Sequence, residues 1–202
     1  MKVIGITGGV GAGKSEVLAR LGERPDCRVI MADQVAHRLE EPGEVCFEPL
    51  RALLGDGILD AEGRIDKRKM AAKIFGSETL LKGVNEIVHP AVKAYLTAQI
   101  EKERTAGKYR FLFIEAALLI EEGYAAILDE LWYIHAEESV RRRRLKESRG
   151  YTDEKIDSIL GSQLSEETFR KYCDVVIENN GTLESVYTQI EKELGEKQWQ
   201  KQ

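Results

Sequence analysis

The stretch of sequence that decides the fold is KVIGITGGVGAGKS, residues 2–15 of a chain of 202 residues. Its beginning, KVIGIT, is a short apolar run rich in β-branched residues, which is typical of a buried parallel strand. The rest, GGVGAGKS, matches the pattern G-x-x-x-x-G-K-[ST], and apolar residues at helical spacing follow at once as Val17, Leu18 and Leu21. A glycine-rich turn between a strand and a helix is the context in which this pattern binds phosphate.

Each position of this phosphate loop has a physical role. Glycines permit positive φ angles and remove side chains that would block the approach of a triphosphate. Backbone N–H groups then point inward, and the positive end of the following helix adds to their effect. The motif predicts a lysine cation on the β- and γ-phosphates of ATP and a serine hydroxyl on Mg²⁺. The predicted nucleotide-binding residues are Gly9, Val10, Gly11, Ala12, Gly13, Lys14 and Ser15, with Ser15 as the metal ligand.

Four more strand-like runs lie downstream, separated by helical segments. Alternating strands and helices after a glycine-rich first turn predict an open, mostly parallel sheet covered by helices on both faces. The predicted fold class is therefore α/β, a three-layer α/β/α P-loop NTPase fold with a five-stranded sheet. The four runs are residues 28–31, 110–114, 130–134 and 174–177.

Residues 35–108 follow a different pattern. Their apolar residues recur at spacings of three and four, which predicts a mainly helical insertion. Asp66 and Ser77 occupy positions expected for helix N-caps. Pro90 is predicted to begin a separate helix over residues 91–104, because proline is favoured in the first turn of a helix.

Composition excludes several classes of protein. A net charge of −5 argues against a general nucleic-acid binder, whose affinity would come from a basic surface. Cys27, Cys46 and Cys173 are widely spaced, which predicts reduced thiols and not a zinc site. No apolar stretch approaches the roughly 20 residues that span a membrane, so we expect no membrane partner and a cytoplasmic location. The expected assembly is a monomer or a small homo-oligomer.

Three classes of phosphate-loop protein remain: a small-molecule kinase, a GTPase switch, and a nucleotide-gated interaction protein or motor. A GTPase would carry an N-K-x-D motif, which the sequence lacks, and the D-x-x-G match at residues 60–63 lies in the helical insertion. A motor would carry an apolar strand that ends in Asp. The nearest analogue is Glu115, which could assist Mg²⁺ through water or pair with a structural partner.

A small-molecule kinase needs a group that orients the acceptor hydroxyl and arginines that close over the phosphates. Asp33 follows the second predicted strand, at the carboxyl edge of the sheet, and is the candidate orienting group; the alternative is a helix N-cap. Residues 141–144 are all Arg, but consecutive positions fan around a helix, so at most two can face one ligand. Arg143 and Arg149 are the predicted catalytic arginines, acting with Lys14.

Further stretches resemble the dephospho-coenzyme A kinase family, and the resemblance runs from Met1 to about Leu194. The phosphate loop is shared with many kinases. The spacing from Asp33 to Glu-Pro-Gly, the His-Pro dipeptide and the Asn-Asn-Gly tripeptide are more specific. The stretches are ITGGVGAGKS (6–15), ADQVAHRLEEPG (32–43), IDKRKMAAKIF (65–75), His89-Pro90, LLIEEG (118–123), the helix at Gln163 and DVVIENNG (174–181).

This resemblance implies transfer of the γ-phosphate of ATP to the ribose 3′-hydroxyl of dephospho-coenzyme A, the last step of coenzyme A synthesis. It implies that Asp33 is the catalytic base and that Asn179 lies near the adenine end of the ATP site. His37, Arg68 and His89 are expected to contact the substrate. The implied organisation is a nucleotide-binding core (1–34, 109–136 and 171–202), a helical substrate-binding insertion (35–108) and a helical lid (137–170).

The chain also departs from the family pattern. Met31 replaces the first Asp of Asp-Ala-Asp, His37 stands where Arg is frequent, and Ala117 replaces the proline of Pro-Leu-Leu. His89 precedes a proline, so a structural role is the alternative to substrate contact. Two other functions stay open: a kinase of another metabolite, such as a nucleoside or sugar, and a nucleotide-sensing protein without catalysis.

Overall fold

A computed structural model describes residues 1–116 and 118–195. They contain a five-stranded sheet in the order β2-β3-β1-β4-β5. Strand β1 runs parallel to β3 and β4, and β4 runs parallel to β5. The predicted α/β class and mostly parallel sheet are confirmed. The strands are β1 (Lys2–Thr7), β2 (Cys27–Met31), β3 (Phe111–Glu115), β4 (Glu130–His135) and β5 (Val175–Glu178).

Single α-helices follow β1 and β5, whereas four α-helices separate β2 from β3 and three separate β4 from β5. Short 3₁₀ helices cover Asp56–Ile58 and Tyr124–Ile127. The α-helices of the described residues are α1 (Lys14–Gly22), α2 (Ala32–Leu39), α3 (Phe47–Leu54), α4 (Lys67–Ile74), α5 (Glu78–Ala106), α6 (Glu138–Arg149), α7 (Asp153–Gly161), α8 (Glu166–Tyr172) and α9 (Leu183–Glu193).

The chain divides into two compact units. One consists of Met1–Val29 and the chain from Gly107 onward, and the other is Ile30–Ala106. The first unit carries strands β1, β3, β4 and β5 with helices α1 and α6–α9, and the second carries α2–α5. The division falls inside β2.

The core of the first unit lies between one face of the sheet and helices α1 and α9. Trp132 and Phe113 are fully buried there and meet edge to face, with ring centroids 6.0 Å apart. This packing fixes the beginning of α1 at the carboxyl end of β1, which is where the phosphate loop lies. The packed residues are Ile4, Ile6, Phe113, Trp132 and Ile134 from the strands, Val17, Leu18 and Leu21 from α1, and Val186 and Ile190 from α9.

Helix α5 of the second unit corrects one prediction. It runs without a break from Glu78 to Ala106 with Pro90 inside it, so the prediction that Pro90 begins a separate helix was wrong. A proline inside a helix removes one backbone hydrogen bond and costs about 3 kcal/mol. A row of buried residues four apart continues through this position and offsets the cost. The row is Val84, Val88, Val92, Leu96 and Ile100.

The predicted caps of the second unit are present. The Asp66 carboxylate accepts hydrogen bonds from the backbone N–H groups of Arg68 and Lys69, and Ser77 Oγ accepts one from Leu80 N. The departure at Ala117 and the polar end at residues 196–202 lie outside the described residues. In the part of the chain that the structure describes, no helix has the length and apolarity needed to cross a membrane.

Candidate active site

The phosphate loop joins β1 to α1, and its backbone requires glycine at three positions, Gly8, Gly11 and Gly13. Gly11 has φ +82° and Gly13 has φ +89°, in the left-handed region that other residues rarely adopt. A Cβ on Gly11 would also lie 3.0 Å from the carbonyl oxygen of Arg141, and a Cβ on Gly13 would collide with Asn179 Nδ2. The glycines therefore allow both the turn and the close approach of neighbouring groups.

Helix α1 begins with the two residues expected to bind phosphate and metal. Lys14 Nζ lies over the loop and donates to the carbonyl oxygen of Gly8 at 2.6 Å. Ser15 follows and is exposed. Gly13 occupies the N-cap position, so no N-cap side chain accepts from the N–H groups of the first turn of α1. A phosphate group is the natural partner for such a helix end.

Arg141 of α6 lies against the loop from outside. Its Nε donates to the carbonyl oxygen of Val10 at 2.9 Å, and its Nη2 donates to Oε1 of Gln163. The same Oε1 accepts the backbone N–H of Val10 at 3.3 Å. The guanidinium covers Gly9, where any Cβ would collide with it.

Arg144, one turn further along α6, forms a second contact of the same kind. Its Nη1 donates to the carbonyl oxygen of Ala12 at 3.4 Å and its Nη2 to Oδ1 of Asn179 at 3.3 Å. Asn179 is 1% exposed, and its Nδ2 donates to the same Ala12 oxygen at 2.7 Å. The side chain expected near adenine is thus used to hold the loop.

Arg141 and Arg144 are half-buried cations whose hydrogen bonds go to neutral oxygens. Burial lowers the pKa of Arg141, and burial together with the charge of Arg143 lowers the pKa of Arg144. Across residues 1–116 and 118–195, neither guanidinium forms an ion pair with a carboxylate, whereas Arg142 pairs with Glu138 and Asp157. Two half-buried cations held only by neutral oxygens favour the binding of an anion at this loop.

The arginines predicted from sequence lie elsewhere. Arg143 is exposed on α6. Arg149 is the last residue of α6, next to Gly150, and its guanidinium lies 5.9 Å from the centre of the Tyr151 ring. The sequence analysis counted Arg141 and Arg144 among its candidates but did not choose them. Their spacing of three was the available signal, because residues three apart share a helix face.

A charged cluster at the ends of β4 and β5 was also missed. His135 Nδ1 lies 2.5 Å from Glu178 Oε2, and its Nε2 lies 3.4 Å from Glu166 Oε2. Arg170 pairs with both glutamates. Together with Phe169, which stacks on Tyr133 with ring centroids 4.6 Å apart, these contacts fix α8 on the sheet.

The second unit carries the candidate acceptor residues. Asp33 is the second residue of α2, and Met31 is the N-cap, so the alternative of Asp33 as N-cap was wrong. His37 lies one turn further along α2, and both side chains are exposed. Arg68 is exposed in the first turn of α4, and His89 lies inside α5, half-buried.

Magnesium fits the donors at the loop without a dedicated cage. No group of three or more His, Cys, Asp or Glu residues suited to a metal lies in the residues that the structure describes. Mg²⁺ usually keeps waters and binds through one or two protein ligands together with substrate phosphates. The exposed Ser15 hydroxyl at the start of α1 is an oxygen donor of the kind that Mg²⁺ accepts. Glu115, a buried carboxylate at the end of β3, pairs in register with Ile6 of β1 just before the loop.

The sheet order, with a phosphate loop after the central strand β1 and arginines folded over it, defines a P-loop kinase fold. The family model described as Dephospho-CoA kinase matches residues 2–185. The chain belongs to the dephospho-CoA kinase family, as the sequence resemblance predicted.

Individual relatives agree with this assignment. A dephospho-CoA kinase of Leifsonia xyli subsp. xyli is 34% identical, covering 95% of this chain and 96% of that protein. One of Corynebacterium diphtheriae is 35% identical, covering 100% of this chain and 97% of that protein. The crystal structure of TT1252 from Thermus thermophilus has a TM-score of 0.79 at 30% identity, covering 96% of both chains.

Proposed function

We propose that the protein transfers the γ-phosphate of ATP to the ribose 3′-hydroxyl of dephospho-CoA and so performs the last step of CoA synthesis. Membership of the family supports the reaction, and the phosphate loop supports the use of ATP. The observation that carries the proposal is the pair Arg141 and Arg144, which donate to carbonyl oxygens of the loop and form no ion pair with a carboxylate among the described residues. Such cations suit the transferring phosphoryl group.

The phosphate side is assigned as follows. The N–H groups of residues 9–15 and the cation of Lys14 hold the β- and γ-phosphates. Arg141 and Arg144 stabilise the charge that develops during transfer, because donors fixed before the reaction need no reorganisation. Arg143 and Arg149 remain predictions as further contacts. Ser15 would ligate Mg²⁺ and Glu115 would assist through water. When bound, the metal would supply neutralisation of charge on the phosphate oxygens.

The acceptor side is assigned to the second unit. Asp33 accepts a hydrogen bond from the 3′-hydroxyl and orients it for attack. Because the transition state of phosphoryl transfer is loose, orientation of the hydroxyl contributes more than proton abstraction. His37, Arg68 and His89 are proposed substrate contacts. They belong to the 35–108 region proposed to bind the acceptor.

The 137–170 segment is proposed to act as a lid that excludes water, since an open site would hydrolyse ATP. Residues 1–34, 109–136 and 171–202 are proposed as the nucleotide-binding core. A cytoplasmic location and a monomeric or small homo-oligomeric state also remain proposals.

An acceptor-dependence assay tests the function. The purified protein is mixed with Mg·ATP and one acceptor at a time, and ADP release is followed for dephospho-CoA, adenosine and gluconate. We expect turnover with dephospho-CoA and a new 3′-phosphate in the ³¹P NMR spectrum of the product. Preference for adenosine or gluconate would indicate a kinase of another metabolite, and ATP binding without acceptor-stimulated turnover would indicate a nucleotide sensor. Either result would overturn the proposal.

A further inference from the structure

Gln163 has an unusual position for a residue outside the helices. The sequence resemblance placed Gln163 on a helix, but this was wrong, because Gln163 lies in the linker between α7 and α8. Its Oε1 is shared by the backbone N–H of Val10 and by Nη2 of Arg141. Since Arg141 Nε also donates to the carbonyl oxygen of Val10, the three residues form a closed ring of hydrogen bonds. One neutral oxygen therefore ties the linker, helix α6 and the phosphate loop together.

The ring fixes a side chain that is otherwise mobile. An arginine loses rotamer entropy when it is held in one geometry. Two donors of Arg141 are directed to fixed acceptors, and the guanidinium covers Gly9. Its plane is therefore set before any phosphate arrives, which is the condition for efficient electrostatic stabilisation.

The two arginines of α6 are held in different ways. Arg144 is held by Asn179, whose side chain is buried at the end of β5, directly after Glu178. Arg141 is held by Gln163, which belongs to a linker between helices. The position of the linker depends in turn on α8, which is attached to the sheet by the stacking of Phe169 on Tyr133. Arg141 thus depends on one side chain that is itself not part of a strand or helix.

We propose that Gln163 is a positioning residue for phosphoryl transfer: it holds the guanidinium of Arg141 in its working orientation at the phosphate loop. The inference rests on the proposed function. An amide oxygen suits this role because it accepts two hydrogen bonds without adding negative charge beside the phosphates. A carboxylate at this position would pair with Arg141 and repel the nucleotide.

The test is a double-mutant cycle on the full-length protein. Gln163→Met keeps the length of the side chain and removes the acceptor oxygen. We expect kcat to fall about tenfold, with KM for dephospho-CoA changed less than about twofold. In an Arg141→Ala background the same change should alter kcat by less than about twofold, because Gln163 acts through Arg141. Ser162→Ala, whose hydroxyl donates only to the Ile159 carbonyl oxygen, is the control in the same linker and should keep wild-type rates.

The outcomes separate the two proposals. A fall in kcat that is the same with and without Arg141 would mean that Gln163 does not act through the arginine, and would overturn the inference. Loss of activity with a melting temperature lowered by more than about 5 °C would assign Gln163 a role in folding and overturn it as well. A wild-type protein that never turns over dephospho-CoA would overturn the proposed function first, before any variant is compared.

Discussion

The phosphate loop and the surface of α2 differ in how their functional side chains are held. At the loop, Lys14, Arg141, Arg144 and Asn179 are directed by hydrogen bonds to named oxygens of the chain. On α2, Asp33 and His37 are exposed. The first set is fixed by the protein alone, and the second is free to be ordered by a bound substrate.

This difference matches the chemistry that each side is proposed to perform. Charge develops on the phosphoryl group in the transition state, and fixed donors stabilise such charge without reorganisation. An acceptor hydroxyl must instead be bound and then released, and binding energy from the rest of a large substrate can order the side chains that meet it. Substitutions at the loop should therefore reduce the rate by weakening stabilisation of the transferring phosphoryl group. Substitutions on α2 should reduce the rate by weakening orientation of the acceptor hydroxyl.

The largest effect is expected for Lys14→Ala, which removes the cation of the fixed set. We expect kcat/KM to fall by about 10²–10³-fold, because a charged donor to the transferring group is lost. Steady-state ADP release with dephospho-CoA measures it. Lys192→Ala, an exposed lysine in the last turn of α9, is the matched control. A Lys14 variant within threefold of wild type would show that the loop does not bind the reacting phosphates.

Asp33→Asn tests the acceptor side. We expect kcat to fall about 10²-fold while the affinity for ATP stays unchanged, because the carboxylate orients only the hydroxyl. Isothermal titration with a non-hydrolysable ATP analogue and kcat from ADP release separate the two quantities. Asp56→Asn, an exposed aspartate in the same unit that pairs with Arg51, should keep wild-type values. An unchanged kcat in Asp33→Asn would remove Asp33 from the mechanism.

Arg144→Ala and Arg143→Ala compare the structure with the sequence prediction on one helix. Loss of a charge-assisted hydrogen bond is worth about 1.5–3 kcal/mol, so Arg144→Ala should lower kcat by about 10–100-fold. Arg143 is exposed and should have the smaller effect. The kcat values of both variants under saturating substrates show which arginine contributes more to the reaction. A larger loss for Arg143→Ala would support a closing movement that brings Arg143 to the phosphates.

How far the sequence predicts this molecule depends on the range of the interactions. The loop, the strands and the Asp66 cap follow from short patterns, and all are present. The spacing of three between Arg141 and Arg144 indicates that they share a helix face. Which face of α6 meets the loop depends on the rotation of α6 about its axis, and tertiary packing sets this rotation. Gln163 could not be assigned a contact, because its position depends on the attachment of α8 to the sheet.

The prediction for Pro90 failed for a related reason. A local rule places proline at a helix start, but the row of buried residues four apart on α5 spans the position and keeps the helix continuous. Burial over several turns outweighed a single lost hydrogen bond.

The smallest effect concerns the cluster that attaches α8 near the loop. Burial raises the pKa of Glu178, but hydrogen bonds from His135 and Arg170 outweigh it and lower the pKa from its ordinary value of 4.5. A carboxylate with a lowered folded-state pKa contributes stability above pH 4.5, and this contribution is lost as the pH falls below that value. The groups around His135 and Glu178 are Glu166, Arg170 and Asn180.

Glu178→Gln should therefore lower the melting temperature at pH 7 by no more than about 4 °C, because Glu178 and its partner Arg170 are partly exposed. The difference in melting temperature from wild type should shrink as the pH falls from 4.5 to 3. Thermal unfolding followed by circular dichroism across this range measures it. Glu167→Gln, which changes an exposed glutamate on α8, should show no such convergence. A constant difference at all pH values would mean that Glu178 contributes through its shape and not its charge. In that case α8 would be held by Phe169 and its stacking on Tyr133.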